Sequence, residues 1–376
     1  MVKGPGFYLK QLGKMFLHGI YLPHIYKRYC RNSNVNYNKV IFADAHTGRL
    51  TSNMYAVYKR LKADGYDIKN MCVDFSTLSM GQLFRYLRTF MKEYSTARYV
   101  FISSYFLPVS SCEKRKETKV IELWHAGGML KKMGYDAKDD IPKYYKGNPT
   151  KNFDLVTVSA DFCVSAYEQA FRLPKGVAVA TGIARTDLYF DKNFNKKNID
   201  RFYQQYPGAI GKKICVYAPS FSGNAARPVT VGFTDELLDM FSRHSDEWFF
   251  ITKLHPNMEK HYPEFISDIH TEELFAPSDL LITDYSSILF DYMLYSKPFI
   301  LYAPDISEYN KDRGFYIDIS TLPAPVVKNV PDLERLLLSD GWKRDPEDIK
   351  KCAAIYMKKC DGHAVDRIIE VMGIEE

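Results

Sequence analysis

The chain has 376 residues, 46% of them hydrophobic and 26% charged, with a net charge of +6. That mix excludes the low-hydrophobicity, high-charge signature of disorder, and the length allows two or three domains. Seven scattered cysteines without a paired Cys or His spacing argue against a disulfide framework or structural zinc site and suit a reducing cytosol. No apolar run reaches the about 18 residues of a membrane span, and no signal-peptide pattern is present.

The charge is localised. Residues 1–43 carry seven bases (Lys3, Lys10, Lys14, Lys27, Arg28, Arg31 and Lys39) and no acid, leaving 44 bases against 45 acids elsewhere. Phe7, Tyr8, Leu9, Leu12, Met15, Phe16, Ile20, Tyr21 and Leu22 are interleaved with those bases. Such a segment, placed at 1–31, suits the surface of an anionic bilayer, where each base contributes about 1 kcal/mol. A domain-packing helix with a solvated basic face would read the same way. Nucleic acid is not expected, because no basic patch recurs beside stacking aromatics in a known module.

Further along, apolar β-branched runs alternate with helical periodicity. Val40–Ala43, Asn70–Phe75, Tyr99–Ser103, Val120–Trp124, Leu155–Ser159 and Val177–Thr181 read as buried strands, with helices over Asn53–Ala63, Gly81–Met91 and Ala160–Phe171. The polar stretch Asp191–Lys213 reads as a junction. A second strand–helix series then runs through Ile214–Ala218, Trp248–Leu254, Leu280–Thr283 and Phe299–Tyr302. Two helices separated by Gly362 close the chain. The expected architecture is two Rossmann-like α/β halves facing a cleft, at 32–195 and 196–345, with C-terminal helices at 346–376. Ligands would sit at the carboxyl ends of strands.

Four segments could carry chemistry. In SDLLITDYSSILFDYML the strand ends at Asp284, and Ser286 and Ser287 then open a helix. Two hydroxyls and free helix-start amides form an anion site, although a serine N-cap alone has the same pattern. In FITKLHPN a strand ends at His255, followed by Pro256. Such a histidine can act toward phosphate, or simply be satisfied by backbone. In VIELWHAGGMLKKMGYD another strand ends at His125. Ala126, Gly127 and Gly128 would permit close approach of a ligand to the backbone, and Lys131 and Lys132 would add charge. Arg313, in RGFY, suits a bidentate phosphate contact or a surface ion pair.

The ordered segments WHAGGMLKKMG, TGIARTD, KLHPN, SDLLITDYSSILFDYMLYSKPFILYAPD and RGFY resemble the CDP-glycerol glycerophosphotransferase family, which builds teichoic acids and related polymers. The likeness runs from about Val40 to DGHAVDRI at Asp361–Ile368. It implies a GT-B fold, a CDP-glycerol or CDP-ribitol donor, an undecaprenyl-diphosphate-linked saccharide acceptor and peripheral attachment to the cytoplasmic face of the cell membrane. It also implies that His125 and His255 matter for turnover and that Ser286 and Ser287 contact the donor diphosphate; Asp284, Pro256 and Arg313 are further candidate donor-binding residues. Many relatives read WHGTPLK where this chain has WHAGGMLK, which leaves the histidine in register but not the loop. The long N-terminal extension of some polymerising members is missing, which favours single or short-chain addition.

The expected reaction is attack of an acceptor hydroxyl on the β-phosphorus of CDP-glycerol, with release of CMP. His125 is the candidate general base, and Lys131 and Lys132 are candidate acceptor contacts. No DxD motif stands at a strand end, so no protein-held metal is expected, and magnesium carried by the diphosphate stays open. Rival readings are a ribitolphosphotransferase, a GT-B glycosyltransferase or nucleotide-sugar epimerase, and a membrane-surface scaffold with a vestigial nucleotide site.

Overall fold

A computed structural model describes residues 5–138, 140–141, 147–220, 222–224, 227–229, 231–254, 258 and 261–374. The chain forms two compact units. The first comprises Met1–His125, Met133–Asp187 and His363–Glu376, and the second comprises Ala126–Lys132 and Leu188–Gly362.

The first unit holds a six-stranded sheet. Its strands are β1 (Asn36–Asp44), β2 (Asp67–Cys72), β3 (Ala97–Ile102), β4 (Lys119–Glu122), β5 (Leu155–Val158) and β6 (Ala178–Ala180). Their order is β2-β1-β3-β4-β5-β6, and every pairing is parallel. The strand order reverses direction between β1 and β3, which puts the ligand-binding end of this sheet beyond Asp44 and Ile102. Parallel strands covered on both faces must be apolar throughout, and Val40–Ala43 and Val100–Ile102 are all fully buried. Val40 and Phe42 pack against Met54, Val57 and Leu61 of the helix Ser52–Ala63 and against Ile368 and Ile369 of the helix Ala364–Val371. Burying each such side chain contributes about 1.5–3 kcal/mol.

The N-terminal helical run, Pro5–Phe16, Leu17–Tyr21 (one π turn) and Leu22–Arg31, belongs to this unit. Its second half is part of the core. Leu22 and Tyr26 are buried, Tyr26 packs on Tyr94, and Arg115 donates to the carbonyls of Cys30 and Ser33. Upstream, Leu12, Phe16 and Ile20 are 60%, 54% and 62% exposed.

The second unit holds five parallel strands in the spatial order Trp248–Thr252, Lys213–Tyr217, Leu280–Thr283, Phe299–Tyr302 and Val326–Val327. These are β7 (Lys213–Tyr217), β10 (Trp248–Thr252), β11 (Leu280–Thr283), β12 (Phe299–Tyr302) and β13 (Val326–Val327), with a small antiparallel hairpin, β8 (Ser222–Asn224) and β9 (Arg227–Val229), set apart. Cys215, Tyr217, Leu280 and Ile282 pack with Leu237, Met240 and Leu333 in its core. The helix Lys192–Gln205, inside the stretch expected as a junction, belongs to this unit. Of the two C-terminal helices, Pro346–Tyr356 lies in the second unit and Ala364–Val371 in the first. Gly362 between them has φ +93°, a conformation glycine adopts without steric cost.

Candidate active site

In the second unit, β11 ends at Thr283, and Asp284 follows it beside the end of β7. Thr283 Oγ1 donates to the Ala218 carbonyl at 2.6 Å, and the Ser220 amide donates to Asp284 Oδ2 at 2.8 Å. These bonds lock the two strand ends together. Lys131 Nζ donates to Ser220 Oγ at 3.1 Å and also lies 5.6 Å from the centre of the Tyr309 ring. Burial raises the Asp284 pKa, an effect opposed first by the positive charge of Lys131 and then by the Ser220 hydrogen bonds. Tyr285 is buried, donates to Asp305 Oδ1 at 2.6 Å and stacks on Tyr309 at 4.2 Å.

Ser286 and Ser287 follow and are half-buried. Ser287 occupies the N-cap of the six-residue helix Ile288–Met293, but its side chain makes no capping hydrogen bond. The Ser286 hydroxyl instead accepts the Ile288 amide, a long local bond of 3.5 Å. The amides of Leu289 and Phe290 already donate to the carbonyls of Ser286 and Ser287. The hydroxyls, rather than those two amides, are what this turn can offer a ligand.

The Ala126–Lys132 segment joins the second unit through backbone pairing. Lys131 bridges Phe315 in antiparallel fashion, the Lys132 amide donates to Gly314 O at 3.0 Å, and the Tyr316 amide donates to Leu130 O at 2.9 Å. Arg313 Nε donates to Lys132 O at 3.0 Å, so this arginine braces the same pairing. Lys131 and Lys132, expected in the acceptor half, thus lie in the unit that carries Asp284 and the two serines. The glycines here admit protein rather than ligand. A Cβ on Gly128 (φ +62°) would lie 2.5 Å from the Phe290 ring, and one on Gly127 would lie 2.9 Å from Met357 and 3.2 Å from Asp291 Oδ1. Asp291 is itself buried and accepts from the Tyr189 hydroxyl at 2.8 Å. His255 and Pro256 lie outside the described residues.

In the first unit, β4 ends at Glu122 and the chain turns at Trp124 to present His125. Trp124 is buried, with its ring edge-on to Phe171 at 4.8 Å and tilted against the His125 ring at 4.4 Å. Its φ is +43°, a left-handed conformation that costs a non-glycine residue about 1–3 kcal/mol. Two buried side chains offset that strain. Glu122 Oε1 accepts the Trp124 amide at 2.8 Å, and Asn53 Nδ2 donates to the Trp124 carbonyl at 2.5 Å. Asn53 Oδ1 accepts the Arg185 amide at 2.9 Å.

His125 Nδ1 lies 3.4 Å from the Ser103 carbonyl. A carbonyl can only accept, so the proton belongs on Nδ1, which leaves Nε2 with a lone pair. The ring has solvent-exposed surface, yet surrounding protein pushes its pKa down to about 4, and the charge of Arg185 acts in the same direction. Water at the exposed edge moderates this shift, which keeps the imidazole neutral near pH 7 but weakens it as a proton acceptor the further it runs. Beside it, at the carboxyl ends of β1 and β3, Asp44 accepts from the hydroxyls of Ser103 (3.3 Å) and Ser104 (3.0 Å) and from the His46 amide (2.7 Å).

Asp44, Glu122 and Asn53 were not singled out from the sequence, although an acid inside the apolar run VIELW was a usable signal. Asp187, in TGIARTD, has a structural role. Its two carboxylate oxygens accept the Ala364 and Val365 amides, each at 2.8 Å, at the start of the helix Ala364–Val371. The DGHAVDRI segment is anchored by that carboxylate.

Two all-parallel sheets in separate α/β units, with chemical groups at strand carboxyl ends, define a GT-B type enzyme. Solved structures agree. The wall teichoic acid polymerase TagF is similar with a TM-score of 0.73 and 19% identity over 97% of this chain and 96% of that one. A UDP-GlcNAc 2-epimerase from Neisseria meningitidis is similar in fold alone, with a TM-score of 0.54, 11% identity and coverage of 91% and 100%. The family model for CDP-glycerol:poly(glycerophosphate) glycerophosphotransferase matches residues 25–372. The chain belongs to this family and is a transferase of that class. It is 32% identical to the teichoic acid ribitol-phosphate primase of Bacillus spizizenii over 89% of this chain and 91% of that one. It is 31% identical to the teichoic acid glycerol-phosphate primase of Bacillus subtilis over 58% of each chain, and 28% identical to the poly(ribitol-phosphate) polymerase of Bacillus spizizenii, of whose length it spans 56%.

Proposed function

We propose that the chain transfers glycerol phosphate from CDP-glycerol to a hydroxyl of an undecaprenyl-diphosphate-linked saccharide acceptor, in the synthesis of teichoic acid or a related surface polymer. The observation that carries this reading is the Lys131–Ser220–Asp284 group, followed in the chain by the half-buried hydroxyls of Ser286 and Ser287. A cation and two partly accessible hydroxyls in one unit suit a diphosphate. The acceptor oxygen attacks the β-phosphorus and its proton passes to His125 Nε2. The bond from phosphorus to the bridging oxygen breaks, and CMP leaves with the electron pair. His255 and Arg313 would help to neutralise the diphosphate, Pro256 would contact the donor, and Lys132 would add charge toward the acceptor. Among the described residues, no three His, Cys, Asp or Glu side chains are grouped as metal ligands. Magnesium, if it acts, would arrive on the donor, and rate after exhaustive chelation tests this.

A ribitol donor is the second reading, favoured by the nearly full-length likeness to a ribitol-phosphate primase. CMP release from CDP-glycerol and from CDP-ribitol, each with primed lipid acceptor, distinguishes the two. Consumption of a UDP-sugar without any CMP release would overturn both.

The chain would work at the cytoplasmic membrane face. No helix among the described residues is long and apolar enough to cross a membrane. The exposed Leu12, Phe16 and Ile20 support contact with the surface of an anionic bilayer instead. Replacing all three by serine leaves the buried Leu22 and Tyr26 in place. It should reduce activity on a membrane-bound acceptor far more than on a soluble short one, and equal loss on both would refute the surface role.

A further inference from the structure

We propose that Glu122 and Asn53 are positioning residues for His125, gripping the Trp124 peptide by its amide and its carbonyl so that the imidazole is presented at a fixed place and angle. This rests on the reading of His125 as the general base. Three independent features converge on that one peptide. Trp124 is in a left-handed conformation, its N–H is held by Glu122 Oε1, and its C=O is held by Asn53 Nδ2. A bulky residue stays in that region only where its surroundings over-determine it. Asn53 is in turn fixed at its other end by the Arg185 amide. Glu122 is 0% exposed and Asn53 is 3% exposed, so neither reaches a substrate directly. They act through the backbone that carries His125.

The grip does not depend on the charge of Glu122. Only an acceptor oxygen is needed toward the Trp124 amide, and a charge is not. Burial, with Asp44 as a nearby like charge, raises the Glu122 pKa well above the ordinary carboxyl value and favours the neutral acid. A glutamine presents the same oxygen and should serve as well.

The test uses the full chain with CDP-glycerol, or with CDP-ribitol if only that donor turns over, and a primed lipid acceptor. CMP release gives kcat and KM, and calorimetry gives donor affinity. Glu122→Ala should lower kcat at least about tenfold, since misplacement by 1 Å can lower rates by about 10²-fold. Donor affinity should stay within about twofold. Glu122→Gln should retain turnover within about threefold. Asn53→Asp keeps the acceptor for Arg185 but loses the donor to Trp124, so it should match Glu122→Ala, and it decides the question alone if the alanine variant does not fold. Folded Glu122→Ala and Asn53→Asp proteins with normal kcat would overturn the proposal, as would Glu122→Gln being as slow as Glu122→Ala. His125→Ala separates the two levels. If it turns over normally, the general-base reading itself falls. If it is inactive while the other variants are normal, only the grip is disproved.

Discussion

Lys131 and Ser220, 89 positions apart in the chain, meet at 3.1 Å through ammonium and hydroxyl, and the charge of the same lysine opposes the rise that desolvation imposes on the Asp284 pKa. Lys131→Met should therefore weaken CDP-alditol binding by about tenfold, the equivalent of one charge-assisted hydrogen bond. Calorimetry with the donor alone measures it. Unchanged affinity would remove Lys131 from the donor site.

His125→Ala should reduce turnover by about 10²–10⁴-fold while leaving donor binding intact. Because the His125 pKa is held down toward about 4, the wild-type rate should persist below the ordinary imidazole range and fall only on further acidification. A rate that instead falls with a midpoint near ~6.5 would mean that the ring is fully hydrated in the working enzyme.

Glu122 gives a stability prediction with a defined sign. Its folded-state pKa is raised, so above the ordinary value of 4.5 the native state binds more protons than the unfolded chain. Stability should decline as pH rises from there toward the folded value. Glu122→Gln has no such proton and should flatten the decline in urea midpoint against pH. An unchanged slope would assign that decline to other groups.

Asp187 holds the first amides of the helix Ala364–Val371. Asp187→Ala should destabilise the first unit by about 1–2 kcal/mol, as for other lost caps, and Asp187→Asn by less. Chemical denaturation measures both. No change in either would mean that solvent replaces the cap without loss.

Gly128→Ala should destabilise the protein by at least about 1–3 kcal/mol, because the added methyl meets the Phe290 ring and the backbone is left-handed. Adding Phe290→Leu should recover the steric part and leave the conformational part. A neutral single variant would mean that the Phe290 ring yields.

The central strands were legible because their burial is complete. β11 and β12 coincide with the apolar runs Leu280–Thr283 and Phe299–Tyr302. β2 begins three residues before the expected Asn70, because as an edge strand reading DIKNMC it has no apolar run to mark it. β13 has two residues, too few for any periodicity. The turn after β4 was legible as a histidine-bearing corner. The helices its glycines pack toward were not, since that depends on pairing with Gly314 and Phe315 far along the chain. The grip on Trp124 was hidden for the same reason. A left-handed tryptophan leaves no local signature, and Asn53 reads as an ordinary helix residue.

The covalent path passes from one unit to the other after His125, Lys132, Asp187 and Gly362. Neither half can therefore be obtained by a single cut in the gene. A chimera meant to exchange donor preference with a relative needs four junctions, and the short graft from Ala126 to Lys132 must travel with the later sequence it pairs with. Recombination that ignores this would separate Lys131 from Ser220 and leave Phe315 without its bridging strand partner.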